Sequence, residues 1–215
     1  MKNFVTSQTQ VLIRKNHSMM KTGLHTGGFS LLEVLISIVI LSFGLLGMVG
    51  LQAAALQANR EARTQSTATS LARELAELMR GNEDVALSAV NPYLVNLIAP
   101  LTLTTASYCL NVANTTACTP IQIANAQMTE WLARVNSGLP GARVLVCLDS
   151  APFDSNGVPR WNCTTTGTDP TTVIKMGWTR GVTDRSATGN NALDLANAAT
   201  SVPALIFPIT AGNPV

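Results

Sequence analysis

One acidic residue, Glu33, stands at the head of a long apolar stretch. The run from Val34 to Leu51 has no charge over 18 residues. A helix of that length rises ~27 Å, close to the hydrocarbon thickness of a bilayer. A carboxylate beside lipid is expensive unless an opposite charge neutralises it. The stretch therefore predicts a membrane span, with Gly27, Gly28 and Phe29 shortly before its one acid.

Few other residues have types and spacing suited to catalysis. Both histidines, His17 and His25, precede Phe29, so the rest of the chain has no histidine for a triad or an imidazole metal site. Four aspartates are scattered through loop-like sequence with no spacing that pairs two of them: Asp149, Asp154, Asp169 and Asp184. We therefore expect no enzyme activity, no cofactor and no metal.

All four cysteines lie in the C-terminal part of the chain, and none forms a C-x-x-C pair. Four cysteines in a domain outside the cytoplasm indicate two disulfides. Sequence order favours Cys109–Cys118 and Cys147–Cys163, each stabilising by about 3 kcal/mol in the chain-entropy model. The other two connectivities remain open.

Charge is distributed unevenly along the chain, which is 47% hydrophobic and only 12% charged. Four basic residues and no acid precede Phe29: Lys2, Arg14, Lys15 and Lys21. The remaining ten Lys and Arg face 12 Asp and Glu, so the chain from Phe29 onward carries −2. Basic residues before a span stay in the cytoplasm, which places the rest of the chain across the membrane. Nucleic acid is an unlikely partner because no basic patch remains.

The motif G-F-S-L-L-E-V-L-I, which starts at Gly28, resembles the class III signal of type IV pilins and type II secretion pseudopilins. In those families a prepilin peptidase cuts after the glycine and methylates the new terminal amine. The resemblance implies a cleaved leader over residues 1–28, cleavage at Gly27-Gly28-Phe29, and N-methylation of Phe29. It also implies that Glu33 docks on a neighbouring subunit by pairing with that subunit's terminal amine. Met19 and Met20 are alternative starts for the leader.

A cleaved secretory signal is the alternative interpretation of the N-terminus. Such a signal has its small-residue cleavage site after the apolar core, and "LQAAALQANREA" from Leu51 could supply one. That interpretation leaves Glu33 unexplained. Gly44, Gly47 and Gly50 recur in the second half of the span. They indicate either the loss of helical order that pilins show in filaments or close packing of helices around small residues.

A single helix is predicted from Phe29 to Arg80, with 29–51 in the membrane and 52–81 amphipathic. Leu71, Leu75, Leu78 and Met79 form one apolar stripe, and Gly81 gives the stop. The head, 82–215, should hold a second helix capped by Thr119, opened by Pro120 and ended by Gly138. Its core-facing residues would be Ile121, Met128, Trp131, Leu132 and Val135.

Strands are expected in "ARVLVCLD", "TTVIKMGWT" and "PALIFPIT". The fold class is therefore α+β and pilin-like: a long N-terminal helix, transmembrane in its first half, packed on an antiparallel head.

Parts of the head resemble the minor pilins of the PilV kind, through "YCLN", "LPGARVLVC" and "VIKMGW". This resemblance implies a minor subunit that supports pilus assembly initiation, the tip complex, adhesion and twitching motility. The implied partners are the major pilin and other minor pilins, the prepilin peptidase, the inner-membrane assembly platform and a tip adhesin. The implied location is the inner membrane, with the head in the periplasm, and then the pilus near its tip.

Two other functions stay open from the sequence. One is a minor pseudopilin of a type II secretion system. The other is an adhesive or DNA-capturing head, whose cationic and aromatic surface would consist of Arg160, Trp161, Lys175, Trp178, Arg180 and Arg185.

Overall fold

The computed structural model describes residues 28–102, 108–110, 117–167, 170–182 and 186–210. The chain divides into two units, with the boundary between Gly50 and Leu51. Several residues named above lie outside the described ranges: Gly27 and the rest of the leader before Gly28, including His17 and His25, together with Asp169, Asp184 and Arg185.

The N-terminal unit consists of the first part of helix α1, which runs Leu31–Arg80. The helix begins two residues later than expected because Ser30 acts as its cap. The Leu32 amide donates to Ser30 Oγ at 3.3 Å, and the Glu33 amide donates to the Ser30 carbonyl at 3.0 Å. Up to Gly50 every side chain on this helix is exposed.

The C-terminal unit contains the rest of α1 and the head. From Ala68 onward one side of α1 is buried, at Ala68, Leu71, Ala72, Leu75, Ala76 and Met79. Leu78 is partly buried beside this stripe. The Gly81 amide donates to the Glu77 carbonyl at 2.9 Å and ends the helix, as its sequence position predicts. A four-residue helix, α2 (Glu83–Ala86), follows.

Helix α3 spans Pro120–Gly138 and starts as the sequence predicts. Thr119 is its cap, and the Thr119 hydroxyl and the Gln122 side chain form a reciprocal capping box. Its buried residues include Met128, Trp131, Leu132 and Val135, but Ile121 is exposed and Ala124 and Ala126 are buried instead. Ile121 lies in the first turn, beyond the edge of the core.

Four antiparallel strands form the main sheet, in the order β1 (Asn96–Ile98), β2 (Arg143–Asp149), β3 (Thr171–Gly177) and β6 (Leu205–Ile209). The last three coincide with the predicted strands, whereas β1 was not predicted. Two-residue strands, β4 (Arg180–Gly181) and β5 (Leu193–Asp194), make a separate ribbon. The α+β class of the prediction is confirmed.

The two faces of the main sheet are covered differently. Val144, Val146, Ile174 and Met176 join the core that contains the buried residues of α1 and α3. Side chains alternate along a strand, so Cys147, Asp149 and Lys175 lie on the opposite face. Residues 150–164 cover that face, because the Lys175 ammonium bonds to carbonyls of this segment. We call residues 150–164 the cover loop.

Candidate functional site

The chain around the predicted cleavage point is open and accessible. Gly28, Phe29 and Ser30 precede α1 and are exposed, and a Cβ added at Gly28 would meet no atom within 4 Å. Glu33 lies in the first turn of the helix, where the dipole favours an acid. Within the described residues its carboxylate has no hydrogen-bond or ion-pair partner. An amine from outside this chain therefore has free access to it.

The apolar residues that follow Glu33 have no contacts that would hide them from water. Among the described helices, α1 alone is long and apolar enough to cross a membrane. Its large apolar side chains from Leu31 to Leu51 are all between 45% and 91% exposed. Bare apolar surface of this extent marks contact with lipid or with another protein. The helix is built for a membrane or for a bundle of similar helices.

Gly44, Gly47 and Gly50 are helical here, and a Cβ on any of them would meet nothing within 4 Å. Close packing around these glycines within the described chain is thus absent. Whether they serve packing against other subunits or a local loss of helix in a filament stays a prediction.

The head contains the two disulfides that the sequence indicated. Cys109 is joined to Cys118 and Cys147 to Cys163, with Cα–Cα distances of 5.9 and 6.4 Å. This is the connectivity that sequence order favours. The second disulfide ties the end of β2 to the far end of the cover loop.

A buried lysine of β3 binds the cover loop to the sheet through backbone carbonyls. Lys175 Nζ donates to the carbonyls of Arg160 and Asn162, each at 2.8 Å, and lies 2.5 Å from Asp149 Oδ2. Neither side chain of this ion pair is exposed. A buried ammonium is tolerated only when its charge and donors are satisfied, and here carbonyls and a carboxylate surround it.

Asp149 holds both ends of the cover loop through its other carboxylate oxygen. The amides of Ala151 and Thr164 donate to Oδ1 at 2.9 and 3.0 Å. Burial alone would raise the pKa of Asp149. The hydrogen bond and charge of Lys175, with the two amide bonds, outweigh it and hold the pKa below its usual value. The carboxylate is therefore ionised throughout the neutral range.

The tip of the cover loop is a tight hairpin. Asp154 Oδ1 accepts from the amides of Asn156 and Val158, each at 2.8 Å, and the chain turns at Gly157 with a φ of 77°. That angle lies in the left-handed region, where glycine is favoured. Asp154 is thus a structural residue of the turn.

The five described residues of the cationic and aromatic surface expected for DNA capture do not form an exposed patch. Lys175, Trp161 and Trp178 are buried, at 0%, 8% and 2% exposure. Arg160 donates to the Ala151 carbonyl and to Thr164 Oγ1, and Arg180 is paired with Asp194. Three of these residues are thus buried, and the two arginines bond to other groups of the head. Arg185 lies outside the described ranges.

A second contact between the cover loop and the sheet joins Trp161 of the loop to Arg143 of β2. The Arg143 guanidinium lies 4.2 Å from the centre of the Trp161 ring. Trp161 Nε1 donates to Ser201 Oγ at 3.2 Å. Burial lowers the pKa of Arg143, because it disfavours the charged guanidinium. The contact of the guanidinium with the Trp161 ring offsets part of the free-energy cost of that burial.

Three potential metal ligands meet beside the second disulfide: Cys147, Asp149 and Cys163. Both sulfurs belong to the disulfide, and Lys175 already neutralises the carboxylate. This donor set does not suit a metal ion, because a coordinating sulfur must be a free thiolate.

Two sequence comparisons bear on this arrangement. Residues 25–49, which include Gly28, Phe29 and Glu33, match the prokaryotic N-terminal methylation motif. Residues 50–129 match the family of the type IV pilin Tt1218. The chain is a type IV pilin. The two matches adjoin within α1, and the pilin match extends into α3. No curated protein and no solved structure matches the chain significantly.

The pilin matches point to a structural subunit and not to an enzyme, and they imply the partners of pilus assembly in general. The match to the methylation motif covers the segment that the sequence singled out, from Gly28 to Glu33, while the roles of its individual residues stay predictions. Ser30 and the Lys175–Asp149 pair were missed. The S-x-x-E spacing of Ser30 and Glu33 is a capping signal that could have revealed the first. For the second, only the isolated lysine in the apolar strand "TTVIKMG" gave a hint.

Proposed function

We propose that this pilin is a minor type IV pilus subunit of the PilV kind, which acts in pilus assembly initiation and in the tip complex. It waits in the inner membrane with its head in the periplasm and then enters the filament near the tip. The class III signal and the bare apolar helix support the filament role. The resemblance of the head segments supports the PilV kind.

The observation that carries this proposal is the unpartnered carboxylate of Glu33 in the first turn of a bare apolar helix. Ionised acids inside lipid or a helix bundle cost about 3 kcal/mol or more. The α-amine that cleavage releases at Phe29 of a neighbouring subunit would neutralise this charge. Docking thereby becomes favourable only when the incoming helix places its acid against a processed terminus.

The test is Glu33→Val in the full chain, expressed in cells that assemble pili. Prepilin cleavage should continue, because the cut lies outside the helix. The amount of this pilin in sheared filaments should fall about tenfold or more, since a difference of ~1.4 kcal/mol already gives tenfold. Leu32→Val, an exposed apolar neighbour of Glu33, is the matched control and should enter filaments normally.

Immunoblots of sheared filaments and membranes give the readout. Equal incorporation of the Glu33→Val variant and the control would refute the docking role. Loss of cleavage in the Glu33→Val variant would instead place Glu33 in recognition by the peptidase.

A further inference from the structure

A groove runs along α1 between Ala53 and Thr67, in the C-terminal unit. The helix forms one wall, and residues of the β4–β5 ribbon and of the chain after β5 form the other. The turn after α3, at Gly138 and Pro140, contributes residues as well. The groove has a volume of about 2250 Å³, room for a segment of another protein.

The groove continues the core-facing side of the helix. Gln57, Arg60, Thr64 and Thr67 are spaced by three or four residues and lead into the buried stripe that starts at Ala68. The helix approaches the other wall closely near Gln57 and near Thr67. A Cβ added at Gly181 would lie 3.3 Å from Gln57 Nε2, and one at Gly138 would lie 3.2 Å from Thr67 Cγ2. Between these points the helix residues that line the groove are exposed, apart from the partly buried Thr64.

Charge and apolar surface meet in this groove. Arg60 and Arg63 are exposed, and neither has an ion-pair partner among the residues that the structure describes. Leu56 and Leu193 also line it, at 64% and 45% exposure. Glu61 is the one acid on the helix wall within the described lining. The surface therefore suits a segment that combines acidic and apolar side chains.

The chain carries such a segment just after the C-terminus of α1. Glu83 and Asp84 stand in the first turn of α2, without ion-pair partners within the described ranges. Leu87 and Val90 follow, at 51% and 67% exposure. We call Glu83–Val90 the corner. These two acids and two exposed apolar side chains, within eight residues, complement the unpaired arginines of the helix wall and the exposed leucines of the groove.

We propose that the groove binds the corner of a second copy of this chain, head to tail. The inference rests on the proposed function, because subunits must be held with parallel helices for the two surfaces to meet. Arg60 lies 20 residues before Arg80, the last residue of α1, which is roughly 30 Å along the helix, and Glu83 follows three residues after Arg80. When two copies lie side by side without an offset along their helices, the groove of one and the corner of the other are therefore apart. The contact forms only after one copy has moved along the other, as on entry into a filament.

The experiment uses the full-length chain with a photo-cross-linking phenylalanine analogue at Leu193, in cells that assemble pili. Illumination should give a cross-linked dimer in sheared filaments, with the adduct mapped by mass spectrometry to Glu83–Val90 of the second copy. The dimer should be absent from membranes of cells in which filament assembly is blocked.

Charge reversal tests the complementarity. Arg60→Glu with Arg63→Glu should lower the dimer yield about tenfold or more, because like charges then face each other. Adding Glu83→Lys and Asp84→Lys to the same chain should restore the yield. Arg63→Glu alone should lower it more than Arg73→Glu, since Arg73 is an exposed arginine of α1 outside the groove.

Filaments that contain the chain but yield no dimer, an adduct that maps elsewhere, or failure of the fourfold variant to restore the yield would overturn the inference. An adduct with a different pilin would also overturn it. Absence of the chain from sheared filaments is a separate result, which would count against the proposed function itself.

Discussion

Lys175 Nζ lies 2.5 Å from Asp149 Oδ2, although Lys175 pairs with Leu145 and Asp149 stands four residues further along β2. The lysine side chain therefore runs along the outer face of the sheet to the point where the cover loop begins and ends. Its ammonium and the aspartate together bond to five backbone groups of that loop at 3.4 Å or less. This pair fixes the cover loop on the sheet.

Lys175→Met should destabilise the head strongly. The substitution keeps the apolar stem but leaves Asp149 buried without its counter-ion, which typically costs ~3–5 kcal/mol. Urea unfolding of the full-length protein in detergent, followed by tryptophan fluorescence, measures the loss. Arg180→Met is the control because it breaks the half-exposed pair with Asp194, where ~1 kcal/mol or less is expected. Similar losses in both variants would argue against a special role for Lys175.

Stability should depend on pH through Asp149. Its pKa in the folded protein lies below its usual value, so its contribution is present above the unfolded pKa of ~4. The contribution is lost as the pH falls from there through the folded pKa. Asp149→Asn should therefore be less stable than the wild type at pH 7, and the gap should narrow in acid. Unfolding midpoints of both proteins across this range are the measurement, and a gap independent of pH would contradict the prediction.

Removing the second disulfide should cost more than removing the first. The sequence separations are 16 and 9, for which chain entropy alone gives about 3 kcal/mol in either case. Cys147–Cys163 also anchors the end of the cover loop whose carbonyls accept hydrogen bonds from the Lys175 ammonium. We expect Cys147→Ser with Cys163→Ser to unfold at a clearly lower urea concentration than Cys109→Ser with Cys118→Ser. Equal midpoints would show that the ion pair holds the loop without help from the disulfide.

Gly28→Leu should block processing of the leader. Gly28 sits in open surroundings, so a larger side chain there disturbs no packing within the described chain. A block therefore reports on the peptidase and not on folding. The precursor should accumulate in membranes, detected by its lower gel mobility. Ser30→Ala, which weakens only the helix cap by about 1 kcal/mol, should still be cleaved. Normal cleavage of the Gly28→Leu variant would show that the peptidase does not require Gly28.

Much of the fold was predictable because local signals were strong. The Thr119-Pro120 start of α3 combines a cap with a residue suited to the first helical position, and the structure uses both. The three main strands alternate or are continuously apolar and were located within a few residues. Strand β1, Asn96–Ile98, was missed because three residues carry too little periodicity.

The candidate site was predictable only where its residues are adjacent in sequence. Gly28, Phe29 and Glu33 form one linear motif, and the match to the methylation motif covers it. The Lys175–Asp149 pair depends on two strands and a loop that meet in space, and no spacing encodes it. For the same reason the aromatic and basic residues of the head looked like a surface, whereas folding buries most of them.

We propose that this pilin is cut between Gly28 and Phe29, so that Glu33 becomes the fifth residue of the mature subunit. Mass spectrometry of the intact N-terminus, on protein purified from membranes, tests it most directly. We expect a chain that starts at Phe29 with a methylated amine. A chain that starts beyond Leu51, or one that keeps its leader in cells with an active prepilin peptidase, would contradict it.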